Sequence, residues 1–322
     1  MRTALVTRFG APEVLVTDEA TDPVAGPGEV VIDVAVADVL WVETMIRQGG
    51  GGEYFDMTPP YVPGNGVAGR VGAVADGVDP GWLGRRVVAH AGQGGYAERV
   101  VVRADRLSAV PDGLGLHEAA ALLADGSTAL ALFEGMRIGP EDRVLIVGAS
   151  GGLGIVTVQL ARARAARVVA VARAERKLAR IRELGADAVI DSEAPDWVEQ
   201  ARAALGDDGA DVILDNIGGR VGEAAFAAIA PGGRFSAHGS PSGRFAAVDP
   251  AEAKRRGVTM HGIEDVQLPA SDRKRLMEEA LAEAAAGRIK PVIGQTFPLA
   301  EAAQAHAAIE RRGVFGKTLL LT

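Results

Sequence analysis

Glycines at positions 148, 151, 152 and 154 stand in the string GASGGLG, between the apolar run Val144, Leu145, Ile146, Val147 and a stretch with helical periodicity. Residues of this type at this spacing let a backbone approach a diphosphate. No Cβ stands in the way, and the start of the helix offers unpaired N–H donors and partial positive charge. The spacing, G-x-x-G-G-x-G, departs from the commoner G-x-G-x-x-G, yet the strand-turn-helix setting is the one that gives such a loop its meaning. Ser150, Gly151, Gly152, Leu153 and Gly154 are therefore expected to hold the pyrophosphate of a dinucleotide.

The next apolar run, 167–172, closes a βαβ unit. Its end lies roughly 20 residues past the glycines, where an NAD site places Asp or Glu against the ribose 2′-OH. Arg173 stands there instead, with Arg176 and Lys177 one turn on, and the nearest acid, Glu175, lies beyond the strand. Guanidinium and ammonium groups in that place suit a 2′-phosphate, so the sequence points to NADPH. The alternative is that Arg176 and Lys177 only solvate a helix start.

Further candidates follow from where other strands end. Asn216 and Ile217, then Gly239 and Ser240, come after two later strand patterns, at the carboxyl edge where open α/β sheets bind ligands. Thr128 and Asp125 occupy a helix-like crossover from which they would approach a nicotinamide; a helix cap is the alternative for Asp125. His238 reads as a structural histidine and His117 as a helix-start residue. Four glycines at 49–52 lead into Glu53, Tyr54 and Phe55, a substrate-side lid or a plain surface loop.

Two kinds of element must position these residues. Short alternating runs at 3–6, 30–36, 67–74, 86–89 and 98–102, broken by Gly and Pro turns, predict a β-rich domain. From position 116 a helical segment leads into strand patterns at 144–147, 167–172, 188–190, 211–214, 233–237 and 258–262. Helical stretches at 177–184, 195–205, 222–229 and 271–286 intervene, which predicts a doubly wound parallel sheet. A tail with a strand at 292–297, a helix at 299–311 and a strand at 318–321 is expected to rejoin the first domain. The expected division is 1–121 with 267–322, and 122–266.

Composition narrows the class. The 322 residues are 48% hydrophobic and 24% charged, with a net charge of −8, so neither nucleic acid nor an anionic membrane is an expected partner. There is no cysteine, which removes disulfides, thiolate metal sites and a cysteine nucleophile. The first fifteen residues lack the apolar core of a secretion signal and no run approaches a membrane span. A cytoplasmic protein is expected.

Together these pieces resemble the zinc-independent, quinone-oxidoreductase-like branch of the medium-chain dehydrogenase/reductase superfamily, over essentially the whole chain. The resemblance rests on FGAPEVL near the start, the stretch 42–49, PGNGVAG at 63–69, GGYAE at 94–98 and VPDGL at 110–114. It continues through GASGGLG, KLARIRELGAD at 177–187, DNIGG at 215–219, and Phe315, Gly316, Lys317. It implies a GroES-like β-rich catalytic domain, a Rossmann domain, NADPH held in the cleft between them, and a homodimer. Zinc-bearing cousins carry ligands at positions that here are Leu40, Asn65 and Gly66, so no metal is expected. The quinone reductases' acid in the 63–69 loop is Gly66 here, a frequent Asn is Leu40, and the Tyr near the adenosine is Ser192. Their substrate-loop tyrosine corresponds best to Tyr54 and next to Tyr61.

The resemblance implies hydride transfer to a quinone or a related conjugated carbonyl, with the protein supplying orientation and electrostatics. Phe315 and Lys317 are expected at the cofactor. Glu43 joins Tyr54 and Asp125 in the catalytic half, more as a support than as a proton carrier. Two alternatives stay open: an enoyl-thioester or specialised enone reductase, and an NADPH-binding protein without turnover.

Overall fold

The computed structural model describes all residues except 52–54, 165 and 207. The chain divides into two compact units, one of Met1–Ala124, Met277–Ala285 and Pro291–Thr322, the other of Asp125–Leu276 and Ala286–Lys290.

The first unit opens with β1 (Arg2–Val6), β2 (Leu15–Glu19), β3 (Glu29–Val39) and α1 (Trp41–Arg47). It continues with β4 (Gly66–Val74), β5 (Arg86–His90), β6 (Arg99–Arg103), β7 (Leu107–Ala109) and the first half of α2 (Leu116–Gly135). Alternation of Val and Ile with polar residues leaves one face of each strand to bury. Val30, Ile32, Val34, Val67, Val71, Val100 and Val102 meet in one core with Tyr61 and Tyr96. β2, α1 and β7 went unread in the sequence. β2 carries mostly exposed residues, and α1 is a short helix that begins directly where β3 ends.

The second unit contains β8 (Arg143–Val147), α3 (Gly152–Ala163), β9 (Arg167–Ala172), α4 (Glu175–Glu183) and β10 (Ala188–Asp191). Then come α5 (Trp197–Leu205), β11 (Ala210–Asp215), α6 (Gly219–Ala225), β12 (Ile229–Ala237), α7 (Pro250–Arg255), β13 (Thr259–His261) and most of the first half of α8 (Ala270–Ala285). Among the described residues its strands form one parallel sheet in the order β10-β9-β8-β11-β12-β13. Counted within the sheet this is 3-2-1-4-5-6, the doubly wound Rossmann order, as the sequence pattern predicts. β8, β9 and β11 are buried on both faces, which is why they read as continuous apolar runs rather than as alternation. Leu145, Val147, Val169, Val171 and Ile213 pack with Trp197, Ala201 and Leu205 of α5.

The helix expected over 222–229 begins earlier, as α6, and gives way to a 3-10 turn before β12 starts at Ile229. Its early start follows from Gly218 and Gly219, whose φ values of 74° and 53° turn the chain straight into the helix. α7 went unread; Asp249 caps it through the N–H of Ala251.

The tail supplies β14 (Ile293–Pro298), α9 (Ala302–Glu310) and β15 (Lys317–Leu321) to the first unit. Its larger sheet runs β14-β15-β3-β4-β5-β7, with β6 also paired to β3.

Candidate functional site: a glycine cradle and a cationic strand tip

The turn from β8 to α3 depends on glycine at two points. Gly148 sits at φ 77°, and a Cβ there would meet the Ile217 side chain at 2.8 Å. At Gly154 a Cβ would lie 2.5 Å from the Gly148 carbonyl oxygen and 2.6 Å from Ala149 Cα, both backbone atoms that cannot yield. Gly151 is different: nothing comes nearer than 3.9 Å to its hypothetical Cβ, so it faces open space. Gly151 is also the N-cap of α3 and no side chain caps that helix start. Its first-turn N–H groups are therefore left for an anion. Ser150, Gly151, Gly152, Leu153 and Gly154 form one cradle.

Beside it, β9 ends at Ala172 and the chain passes through Arg173 and Ala174 (φ 70°) into α4. Arg173 is 47% exposed, whereas Lys177 is 8% exposed. Burial lowers the Lys177 pKa, and the neighbouring Arg173 and Arg176 lower it further. Three cations thus crowd one strand tip, and an anion of two charges would relieve them. Glu175 turns away to pair with Arg182 at 3.1 Å.

Next along the sheet, Asp215 ends β11 fully buried, with Oδ1 accepting the N–H groups of Ile217 and Gly218 at 2.9 Å each. Asn216 Nδ2 donates to the Val147 carbonyl at 2.8 Å, so its Oδ1 accepts from His238 Nε2 at 2.9 Å. His238 Nδ1 in turn accepts from the Ser236 hydroxyl at 2.9 Å. Burial pushes the His238 pKa down to about 4, which keeps this buried imidazole neutral in a structural role. A Cβ on Gly239 would lie 2.1 Å from the Asn216 carbonyl carbon. The ends of β8, β11 and β12 are thereby tied together, bringing Asn216, Ile217, Gly239 and Ser240 to the edge that carries the cradle.

Asp215 was not singled out in the sequence, although an acid directly before Asn216 at a strand end is the signal of such a turn. Its Oδ2 is buried without a hydrogen-bond partner, and burial raises its pKa to about 6. An acid whose folded pKa lies above its unfolded value binds more protons when folded. Its contribution to stability therefore falls as pH rises from about 4 to about 6. Asp215→Asn is expected to remove that slope, gaining on the order of 2–3 kcal/mol relative to wild type across the interval, as denaturant titrations at pH 4 and pH 7 would show.

In the first unit the catalytic-half candidates fall into separate settings. Glu43, at the start of α1, is 6% exposed. Its carboxylate accepts from the N–H of Leu40 (2.9 Å), Gly64 (3.1 Å) and Asn65 (2.9 Å), and from the Tyr96 hydroxyl (2.7 Å). Burial raises its pKa against the downward pull of the Leu40, Tyr96 and Asn65 donors and of Lys317. Four donors fit an ionised carboxylate, which thus fixes the 64–65 turn.

The chain of contacts continues from Tyr96 to His306 Nε2 (3.1 Å), from His306 Nδ1 to Arg47 Nε (3.3 Å), and from Arg47 to Glu310. Tyr96, Arg47 and His306, all fully buried, were not singled out in the sequence. Lys317 lies in a buried ion pair with Asp38 of β3, 2.8 Å away, and Phe315 is buried close by in sequence. Tyr61 is 8% exposed, paired through its backbone with Val6, and burial pushes its phenol up to about 12. At Gly66 a Cβ would stand 2.9 Å from Leu123 Cδ2, so a larger residue would require the end of that side chain to shift. Tyr54 lies outside the described residues. In the second unit Asp125 and Thr128 sit partly exposed inside α2, so Asp125 is not a helix cap.

Comparisons with known proteins agree with this architecture. The alcohol dehydrogenase GroES-like domain family matches residues 26–112, and the zinc-binding dehydrogenase family matches residues 184–320. The chain has no cysteine, and among the described residues no three His, Cys, Asp or Glu side chains gather to hold a metal. The quinone oxidoreductase of Rattus norvegicus is 31% identical over 327 residues, covering 100% of this chain and 98% of the relative. A 2-haloacrylate reductase from Burkholderia is 30% identical over 330 residues, covering 99% and 98%. The crystal structure of Escherichia coli quinone oxidoreductase complexed with NADPH superimposes with a TM-score of 0.92 at 25% identity, over 100% of each chain. These likenesses set aside the reading without turnover. The chain is an oxidoreductase of the medium-chain dehydrogenase/reductase superfamily and belongs to its quinone-oxidoreductase-like branch.

Proposed function

We propose that the protein is an NADPH-dependent reductase that passes hydride to a quinone or a related conjugated carbonyl. The observation that carries the cofactor half is the cluster of Arg173, Arg176 and Lys177 at the tip of β9, where an NAD site would hold a carboxylate. When bound, the nicotinamide supplies the hydride. The backbone of residues 150–154 receives the diphosphate at the start of α3. Arg173 and Lys177 hold the 2′-phosphate, with Arg176 as a lesser contributor. Asn216, Ile217, Gly239 and Ser240 line the remainder of the cofactor, and Thr128 and Asp125 approach its nicotinamide. Phe315 and Lys317 are further proposed cofactor contacts.

In this reading hydrogen-bond donors or water stabilise the acceptor's oxygen. That favours an acceptor whose own electron affinity does most of the work, as in a quinone. The rat relative carries that name. The Burkholderia relative is named for a haloacrylate, an alkene conjugated to a carboxyl group, which keeps an enoyl or enone acceptor as the second reading. Glu43 acts as a positioning residue, holding the 64–65 turn. Tyr54 is the proposed substrate-loop tyrosine. A cytoplasmic homodimer completes the proposal.

The test is NADPH consumption by the purified protein with p-benzoquinone, a 2-haloacrylate and an enoyl thioester as acceptors. Turnover led by the quinone supports the first reading, turnover on the alkenes alone replaces it with the second, and silence on all three overturns both.

A further inference from the structure

Strand β10 pairs in parallel with β9, with Asp191 opposite Ala172, and this register sets the residues that follow β10 beside the residues that follow β9. The N–H of Ser192 donates to the Ala172 carbonyl at 2.9 Å, and the N–H of Glu193 donates to Asp191 Oδ1 at 3.0 Å. The segment is thus pinned against the strand tip. From it, Glu193 Oε1 lies 4.0 Å from Arg173 Nη1, with both side chains about half exposed or more (66% and 47%). Glu193 is the acid that does reach this tip, since Glu175 pairs elsewhere.

We infer that Glu193 is a specificity-determining residue that competes with the cofactor's 2′-phosphate for the Arg173 guanidinium, and so restrains the preference for NADPH over NADH. This rests on the reading of Arg173 as a 2′-phosphate ligand. Before the cofactor binds, the carboxylate shares the guanidinium; a 2′-phosphate must displace it and then lies near a like charge. An exposed pair in high dielectric is weak, so the restraint is small and screened by salt.

The experiment measures dissociation constants of 2′,5′-ADP and of 5′-AMP at low and high salt for wild type, Glu193→Gln, Arg173→Gln and the double variant. Glu183→Gln serves as the control, removing an exposed carboxylate from the far end of α4. Glu193→Gln is expected to tighten 2′,5′-ADP about threefold at low salt, to lose most of that gain at high salt, and to leave 5′-AMP unchanged. In the Arg173→Gln background the same change should have no effect. An unchanged 2′,5′-ADP affinity in Glu193→Gln overturns the inference. So does a gain that persists without Arg173, or one equalled by Glu183→Gln. If wild type itself binds 2′,5′-ADP no better than 5′-AMP, the NADPH reading fails first, and the inference falls with it.

Discussion

Replacing Arg173 and Lys177 together with glutamine is expected to weaken NADPH binding about 10³-fold while leaving NADH binding within about threefold. Each charge-assisted bond to phosphate is worth about 1.5–3 kcal/mol, with the half-exposed Arg173 at the lower end and the buried Lys177 at the upper. Removing the Lys177 charge should not cost stability in the empty protein, and losing the exposed Arg173–Glu193 pair should cost little. Burial and two neighbouring guanidinium groups already lower the Lys177 pKa, so its charged form is disfavoured in the folded state. The sign matters: an unchanged or raised melting temperature together with lost NADPH affinity marks a ligand-binding cation, whereas a lowered melting temperature marks a structural one. Binding titrations of both cofactors and a melting curve, all without added acceptor, separate the two.

The second large effect contrasts two glycines three residues apart. Gly154→Ala puts a methyl group 2.5 Å from the Gly148 carbonyl oxygen and 2.6 Å from Ala149 Cα. Because both obstacles are backbone, relief requires moving the start of α3 off β8, and the expected loss is about 3 kcal/mol or more of stability. Gly151→Ala meets nothing nearer than 3.9 Å, and its φ of −80° suits alanine, so folding should be unaffected. Its methyl would nonetheless stand where a diphosphate approaches the helix N-terminus, and cofactor affinity should fall about tenfold or more. Unfolding curves and cofactor titrations on the two variants should move in opposite columns: stability lost at 154, binding lost at 151. Loss of stability at both positions would mean that the loop is merely tightly packed.

The parts legible in the sequence were those whose physics is local. β8, β9 and β11 show as β-branched runs because both of their faces are buried, and the 148–154 loop shows because a sharp exit and close backbone approach demand glycine. The placing of Arg173 and Lys177 just beyond β9 was readable by their distance from that loop. What escaped reading depends on contacts distant in sequence. Arg47 meets His306 across 259 positions, and Tyr96 meets Glu43 across 53. No periodicity encodes such a buried polar chain, whose members read singly as an arginine in a short helix and a histidine among alanines. Glu193 reaches Arg173 only through the β10–β9 register, which pairwise strand patterns do not specify. Lys317 was singled out through the family resemblance, but its buried partner Asp38 belongs to the neighbouring strand β3 and became visible only with the β15–β3 pairing.

The most direct measurement is the initial rate of cofactor oxidation with p-benzoquinone as acceptor, using NADPH and NADH at equal subsaturating concentrations. A kcat/KM for NADPH at least ~10-fold above that for NADH is predicted, because one charge-assisted contact to the 2′-phosphate corresponds to about that ratio. Equal rates with the two cofactors, or no quinone-dependent oxidation of either, would contradict it.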